Sequence, residues 1–489
     1  MATIVDVLSG NPGVGKTQTF IEGIDPAKRY VYASPTRQLA KEVMQRLDQA
    51  EKPYMPIFTG QTRDVGSVIH QANKALGDKR TPLVIITHRC LASVKPELLA
   101  GWELFIDESP KSEEIDHAMM LSREYERVIA PYVGDCDDDG GLIINEFMLE
   151  EAWEIHAQGI EDARNKRPRN KTLLMVLDAM LSPTKTVTAT PNRNDKGKDS
   201  VRISVEGFND FTKCFDNAAS VTIMGANVDR SLVARHAVRK GFKLNIIKKK
   251  MLRKGLPHIL PLIRDQEGAY VSKRMLMTMP DGSVATEWNS ECFGSHAVER
   301  ALRYINGNPA IFASHEWCKP DLPKHVERTP FDTRGLNEWK DKRISIHILH
   351  GNPSPDEYGP AVRILQKMGI PLQEGKDAMR WAREDDQLSQ FAHRTSARIE
   401  DSEEDTWHIV TSYTQARKLA LDFDGSCLID TCLMVDPPER LATEAQDKRN
   451  MERENLATQA RTLKAQGMSQ RAIAQQLDIS LGKVNKLLR

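Results

Sequence analysis

"LSGNPGVGKTQTF" runs from Leu8 to Phe20 and contains Gly-x-x-x-x-Gly-Lys-Thr, with Gly10, Gly15, Lys16 and Thr17 at the fixed positions. Before it stands "TIVDVL", Thr3 to Leu8, short, apolar and β-rich. After it comes "QTFIEGI", which reads as the first turns of a helix. Strand, glycine-rich loop and helix, in that order, form the context in which this pattern cradles phosphates. Gly10, Asn11, Pro12, Gly13, Val14 and Gly15 make the cradle. Lys16 brings a point charge to the β- and γ-phosphates, and the helix N-terminus adds its dipole. Thr17 is the expected Mg²⁺ ligand. What such a loop drives has to be read from the rest of the chain.

The chain has 489 residues, which predicts two to four domains. Lys plus Arg and Asp plus Glu are 68 each, so a histone-like polycation is excluded while local basic stripes are not. Seven cysteines, Cys90, Cys136, Cys214, Cys292, Cys318, Cys427 and Cys432, are scattered with no Cys-x-x-Cys, so neither a zinc site nor a disulfide framework is expected. The absence of an apolar run of membrane length and of a signal-like N-terminus gives the expectation of a soluble protein of the cytoplasm, bacterial or phage-infected.

Strands and helices alternate from residue 3 to about 110. "RYVYASP", "PYMPIFTG", "PLVIITH" and "WELFIDE" read as strands, and "TRQLAKEVMQRLDQA" as an amphipathic helix with Leu39, Val43 and Leu47 on one stripe. That rhythm predicts a parallel, doubly wound sheet. Residues 113 to about 185 read as helical and charged, broken by the acidic "GDCDDDGG". "KTVTATPNRNDKGKDSVRISVEGF" reads as a β-hairpin around Asn194–Gly197, so about 113–212 is taken as an insertion. From about 290 a second α/β region follows, with "MTMPDGSVATEW" before it as a hairpin turned at Asp281–Gly282. "DPPERLATEAQDKRNMERENLATQARTLKAQ" reads as a polar helical connector.

A phosphate loop needs an acid on a neighbouring strand, and "WELFIDESP" supplies Asp107 and Glu108. Asp107 is expected to hold Mg²⁺, and Glu108 to polarise the attacking water. Between loop and acids, "YASPTRQLAKEV" resembles motif Ia of superfamily 2 helicases, and "IITHRCLAS" looks like their motif Ib. The resemblance implies that Pro35, Thr36, Arg37, Thr87, His88 and Arg89 grip the backbone of a nucleic-acid strand, a role suited to small donors and cations at helix starts. "LSQFAHRTSARIED" resembles motif VI: Gln390 and Arg394 match its spacing, His393 replaces a glycine, and Arg398 falls one residue late. By that resemblance Gln390 is a nucleotide-site residue, while Arg394, or as second choice Arg398, reaches the γ-phosphate. "NPAIFASHEW" looks like motif IV. Motif III has two candidates, Thr188–Thr190 and Gly225–Asn227, of which the second has the better strand–turn–helix context. Motif V is not recognisable, and an adenine-selecting glutamine motif is not expected.

"GMSQRAIAQQLDISLGKVNKLLR" resembles the helix-turn-helix of resolvases. Ser469 is placed to cap a helix carrying Ile473, Ala474 and Leu477, and Ser480 one carrying Val484, Leu487 and Leu488. Lys464, Arg471, Lys483, Lys486 and Arg489 face a single acid, Asp478. Lys483, Asn485 and Lys486 would enter a major groove.

The expected architecture is α/β: two RecA-like parallel-sheet lobes, a helical and β-hairpin insertion in the first, and a small all-α helix-turn-helix at the C-terminus. The expected divisions are 1–245, an ATP-binding lobe; 246–435, a second lobe; 436–462, a helical connector; and 463–489, a DNA-binding unit. The expected function is an ATP-dependent helicase or translocase acting on DNA in phage, plasmid or mobile-element replication. ATP and Mg²⁺ would be its cofactors, with replication proteins as candidate partners. The alternative is an ATP-switched DNA-binding initiator or regulator that does not unwind.

Overall fold

The computed structural model describes residues 4–58, 68–137, 140–164, 170–182, 184–193, 197–249, 254–265, 271–331, 333, 338–351, 355–399, 401–438, 456–464, 468–477 and 484. In chain order the first lobe begins with β1 (Ile4–Ser9), β2 (Tyr30–Ser34), β3 (Met55–Pro56), β4 (Leu83–Thr87) and β5 (Glu103–Asp107). An insertion follows with β6 (Glu113–Leu121), β7 (Val133–Cys136), β8 (Leu142–Ile144), β9 (Lys185–Arg193) and β10 (Asp199–Phe208). The chain then returns to the first sheet with β11 (Ser220–Gly225) and β12 (Lys243–Lys248).

The first sheet is parallel throughout, in the order β12-β1-β11-β5-β2-β4-β3. Its strands are near-continuous apolar runs because both faces are covered. In β2, Val31 and Ala33 enter one core while Tyr30 and Tyr32 enter the other. Helices Lys16–Glu22 and Arg37–Gln49 cover the tyrosine face through Phe20, Ile21, Ala40, Val43 and Leu47. Ala40 rather than Leu39 completes that stripe, and Leu39 sits on its shoulder.

The second lobe holds β13 (Pro257–Ile263), β14 (Ala310–Ser314), β15 (Val326–Arg328), β16 (Ile344–Ile348), β17 (Thr406–Ser412) and β18 (Leu428–Ile429). These too are all parallel, in the order β15-β14-β16-β17-β13-β18. Two RecA-like parallel-sheet lobes are thus present. The first sheet runs through β12, so the first lobe extends past 245.

The insertion departs from expectation at its start. Residues 113–121 are a strand, paired over nine registers with β10, which also pairs β9. Long-range pairing overrides the helical leaning of "EEIDHAMML". The hairpin expected around Asn194–Gly197 is formed by β9 and β10, with residues 194–196 outside the described set. The first three residues of the acidic "GDCDDDGG" lie in β7, which pairs β8 as a second hairpin, and residues 138–139 are outside the described set.

The insertion also docks on the second lobe. Phe208, with Ile115 packed alongside, shares a core with Leu232 of the first lobe and with Ile364, Leu365 and Met368 of the second. Arg363 forks onto Glu206, Nε to Oε1 and Nη2 to Oε2, each at 2.5 Å, and Glu206 is buried.

A second compact unit comprises Arg274–His296 and Pro437–Arg489. In it, Gly282 has φ 82 at the turn expected there, and Met279 N donates to Ser283 O at 2.8 Å. Ser469 Oγ accepts from Ala472 N at 3.3 Å, capping helix Gln470–Gln476. Ala460, Ile473 and Val484 form one buried core. Connector and tail are therefore not separate as 436–462 and 463–489, because residues 456–464 supply part of the tail's apolar core. Lys483, Asn485 and Lys486, and Ser480 with them, lie outside the described residues. Among the described residues no helix is long and apolar enough to cross a membrane.

Arg363→Ala leaves a buried carboxylate without its guanidinium, and should cost about 1–3 kcal/mol. Urea denaturation read on the whole chain checks this. The double change Glu206→Gln/Arg363→Met should regain most of the loss, and an unchanged midpoint in the single variant would mean that the fork contributes nothing.

Candidate nucleotide site between the lobes

Parallel pairing brings the ends of β1, β11 and β5 side by side, so the phosphate loop, Gly225 and the Asp107–Glu108 pair are neighbours. Gly10 N donates to Gly225 O at 3.2 Å, and Glu108 N to Met224 O at 2.6 Å. Helix Lys16–Glu22 starts at Gly15 in the left-handed region, with no side chain capping it. An uncapped helix start at the end of a glycine loop suits phosphate. Gly13 has φ 99, and a Cβ there would lie 2.7 Å from the Arg398 carbonyl oxygen, so the loop fits against the second lobe only as glycine.

Lys16 is buried, with Nζ donating to the carbonyls of Gly10, at 2.5 Å, and Asn11, at 3.0 Å. Burial pulls its ammonium below the ordinary value, while Glu108, Asp107 and Asp386 oppose that and Arg394 adds to it. Asp107 is buried, and Tyr32 OH donates to its Oδ2 at 2.6 Å. Burial, reinforced by Glu108, pushes the Asp107 carboxyl up to about 7. Thr17 also hydrogen-bonds the Tyr32 hydroxyl, so Thr17, Tyr32 and Asp107 form one chain of contacts. Thr17 and Asp107 are hard oxygen donors brought together, a set that fits Mg²⁺.

Glu108 sits at φ 62, left-handed for a residue with a side chain. Such a conformation costs of order 1 kcal/mol or more and persists where the surroundings impose it. Its Oε2 would be 3.3 Å from a Cβ at position 225, so Gly225 makes room for the carboxylate. Gly225 of the Gly225–Asn227 segment therefore lies against the Asp107–Glu108 pair. Thr188–Thr190 lies in β9, in the insertion's sheet.

From the second lobe come Gln390, Arg394 and Arg398. Helix Leu372–Arg380 continues through a π-turn, Trp381–Asp385, into Asp386–Ala392. Gln390 is fully buried and its Oε1 accepts from Arg394 Nη2 at 3.2 Å. That contact holds the Arg394 guanidinium. Arg394 stands close enough to depress the Lys16 ammonium. Arg398 instead is electrostatically coupled to Glu42 and Arg46 of the first lobe, and burial lowers its pKa.

The residues expected to grip a strand are split. Thr36 Oγ1 accepts from Leu39 N at 3.2 Å and Thr87 Oγ1 from Cys90 N at 3.3 Å, so both cap helices. His88 has Nε2 donating to the Asp107 carbonyl at 2.9 Å. Pro35 is half-buried beside them, and Arg37 and Arg89 are exposed.

Sequence reasoning missed Asp422. Its carbonyl accepts from Asn11 Nδ2 of the phosphate loop, and its Oδ1 from Asn227 Nδ2 at 3.2 Å. Nearby, Lys418 and Asp385 pair at 2.8 Å. Asn227, at φ 49, stands two residues after Gly225, so one second-lobe residue touches both the loop and the segment after β11. No local signal marks it, because both partners are distant in sequence.

No family model matches the chain, and no curated protein does. Among solved structures, one titled "XPD_Helicase" is 9% identical, covering 88% of this chain and 96% of that one, with a TM-score of 0.48. S. tokodaii Xpd4 is 8% identical over 88% and 96%, with a TM-score of 0.46. The Mycobacterium smegmatis helicase Lhr, bound to ssDNA and AMP-PNP, is 9% identical over 88% and 47%, with a TM-score of 0.32. Similarity this low leaves the site's own geometry to carry the functional reading.

Burial, with a smaller contribution from Asp385, raises the Asp422 carboxyl from 3.8 to about 6, against the opposing hydrogen bonds of Ser389 and Asn227. A raised acid disfavours folding when ionised, so its cost is absent below about pH 4 and complete above about pH 6. Asp422→Asn keeps an oxygen for Asn227. It should stabilise the chain by about 2 kcal/mol at about pH 8, and by nothing at about pH 4. Thermal midpoints of both proteins across that range test the claim, which fails if the gain does not grow with pH.

Proposed function

We propose that the chain is an ATP-driven nucleic-acid motor of superfamily 2 helicase type, acting on DNA. The observation that carries the reading is the convergence of Lys16, Asp107 and Glu108 from one lobe with Arg394 from the other. ATP hydrolysis needs a cation on the phosphates, a base for water and a positive charge opposite the transferring phosphoryl group. Mg²⁺, held by Thr17 and Asp107, would neutralise phosphate charge. Lys16 binds the β- and γ-phosphates within the loop Gly10–Thr17. Glu108 accepts the proton of the attacking water. Arg394, oriented by Gln390, stabilises charge on the departing group from across the cleft. Because that arginine belongs to the second lobe, turnover and lobe closure are linked. Arg37 and Arg89, exposed at the ends of β2 and β4, fit the phosphates of a bound strand.

The tail supports delivery to duplex DNA. Its capped helix, its small apolar core and the cations of Lys464–Arg489 agree with a helix-turn-helix. A motor with its own duplex-binding unit suits replication of a phage, plasmid or mobile element, where it must be brought to one locus.

Turnover measured with single-stranded DNA, duplex DNA and RNA side by side tests the motor. Single-stranded DNA should stimulate most. Lys16→Ala should abolish turnover, Glu108→Gln should retain ATP binding while hydrolysing slowly, and Arg394→Ala should lose about 10³-fold. If Arg398→Ala shows that loss in place of Arg394→Ala, the finger is Arg398. If nucleic acid leaves the rate unchanged, the chain is an ATP-switched protein rather than a motor.

Duplex binding at two salt concentrations tests the tail. Lys483→Ala and Lys486→Ala should each reduce the log–log salt slope by about 0.9, and Asn485→Ala should relax sequence preference. Curves identical to wild type would assign the tail to packing or partner binding.

A further inference from the structure

The insertion builds two cores of its own, one around Ile129, Val176 and Ile203, the other around Tyr132, Ala152 and Leu177. Phe147, Leu149 and Trp153 belong to neither, and are 97%, 39% and 51% exposed. Leu149 and Trp153 stand four residues apart on helix Leu149–Arg164, so they share one stripe, beside the inward stripe of Met148, Ala152 and Ile155. Trp153 is propped: its ring meets His156 edge-on at 6.2 Å, and His156 Nε2 lies 3.2 Å from Asp178, which Lys185 also holds. Two large aromatics standing in water this close in sequence are unusual for a surface that meets only solvent.

Charge narrows what could cover them. Between Arg127 and Arg164 the sequence has ten acids and no lysine or arginine. Glu146, Glu150 and Glu154 recur at intervals of four beside the apolar stripe, and all are exposed. Exposed acids bordering the stripe repel phosphate, so a nucleic-acid strand is the wrong occupant. Aromatic anchors bordered by acids match a partner that is itself apolar on one side and cationic on the other.

We propose that the face formed by Phe147, Leu149 and Trp153 docks a basic amphipathic helix of another protein, tying the motor to a partner through its insertion. The proposal is independent of the nucleotide site. Its probes are a labelled helical peptide with a leucine face and a lysine face, a counterpart with glutamate for lysine, and oligothymidylate. Fluorescence anisotropy with the full chain should show binding of the lysine peptide, weakened by salt, and none of the glutamate peptide. Phe147→Ser/Trp153→Ser should reduce affinity about tenfold or more, and Glu150→Lys/Glu154→Lys should do so separately, with ATPase unchanged in both. Three results would overturn the proposal. The first is lysine-peptide binding that is absent, or equal in wild type and both variants. The second is oligothymidylate affinity lost in Phe147→Ser/Trp153→Ser, which would make the face a stacking platform for bases. The third is self-association of the wild type, seen by light scattering and lost in the same variant, which would make the occupant a second copy.

Discussion

Parallel pairing of β11 between β1 and β5 is the constraint on which the rest depends. Val221–Gly225 pairs Val5–Ser9 on one side, and Ser220–Met224 pairs Glu103–Asp107 on the other. Since all three strands run the same way, their C-terminal ends share one edge. Loop, acids and glycine then meet there, although the acids are some ninety residues from the loop and the glycine is more than two hundred. The insertion is permitted because the chain between β5 and β11 has only to leave and return to adjacent positions in the sheet. Ligands in open parallel sheets sit at this edge for the same reason.

The edge is also where the fold accepts local cost. Lys16 and Asp107 are buried and Asp422 half-buried, and each has its charged form disfavoured by desolvation. Glu108 adds a left-handed backbone. The two apolar cores flanking the first sheet, and the apolar contact between insertion and second lobe, offset these costs.

How legible this was in the sequence follows the range of the interactions. β1, β2, β4 and β5 read directly, because strands covered on both faces are unbroken apolar runs. β12, "KLNIIK", went unread, since an edge strand with exposed side chains carries no such run. β6 was taken for helix because Glu, Ala and Met favour one locally, and only its partner β10, some eighty residues on, makes it a strand. The loop's lysine and the acid pair were legible from spacing alone. His88 was not, because nothing in "THRC" tells that its ring turns back to the Asp107 carbonyl. Gln390 was found from spacing, but its hydrogen bond to Arg394 needs three dimensions to see.

The π-turn at Trp381–Asp385 makes the aim of the second lobe a matter of counting residues. Asp386 N donates to Trp381 O, a loop one residue wider than the α-helical one. Each residue advances a helix by about 100°, so losing one residue here would let the helix run on regularly while swinging everything beyond it through that angle. Gln390 and Arg394 would keep their chemistry, their spacing and their helix, yet face another direction. Relatives of this chain are therefore free to vary the side chains of the turn far more than its length, and an alignment gap within it would mark a second lobe that no longer addresses the phosphate loop.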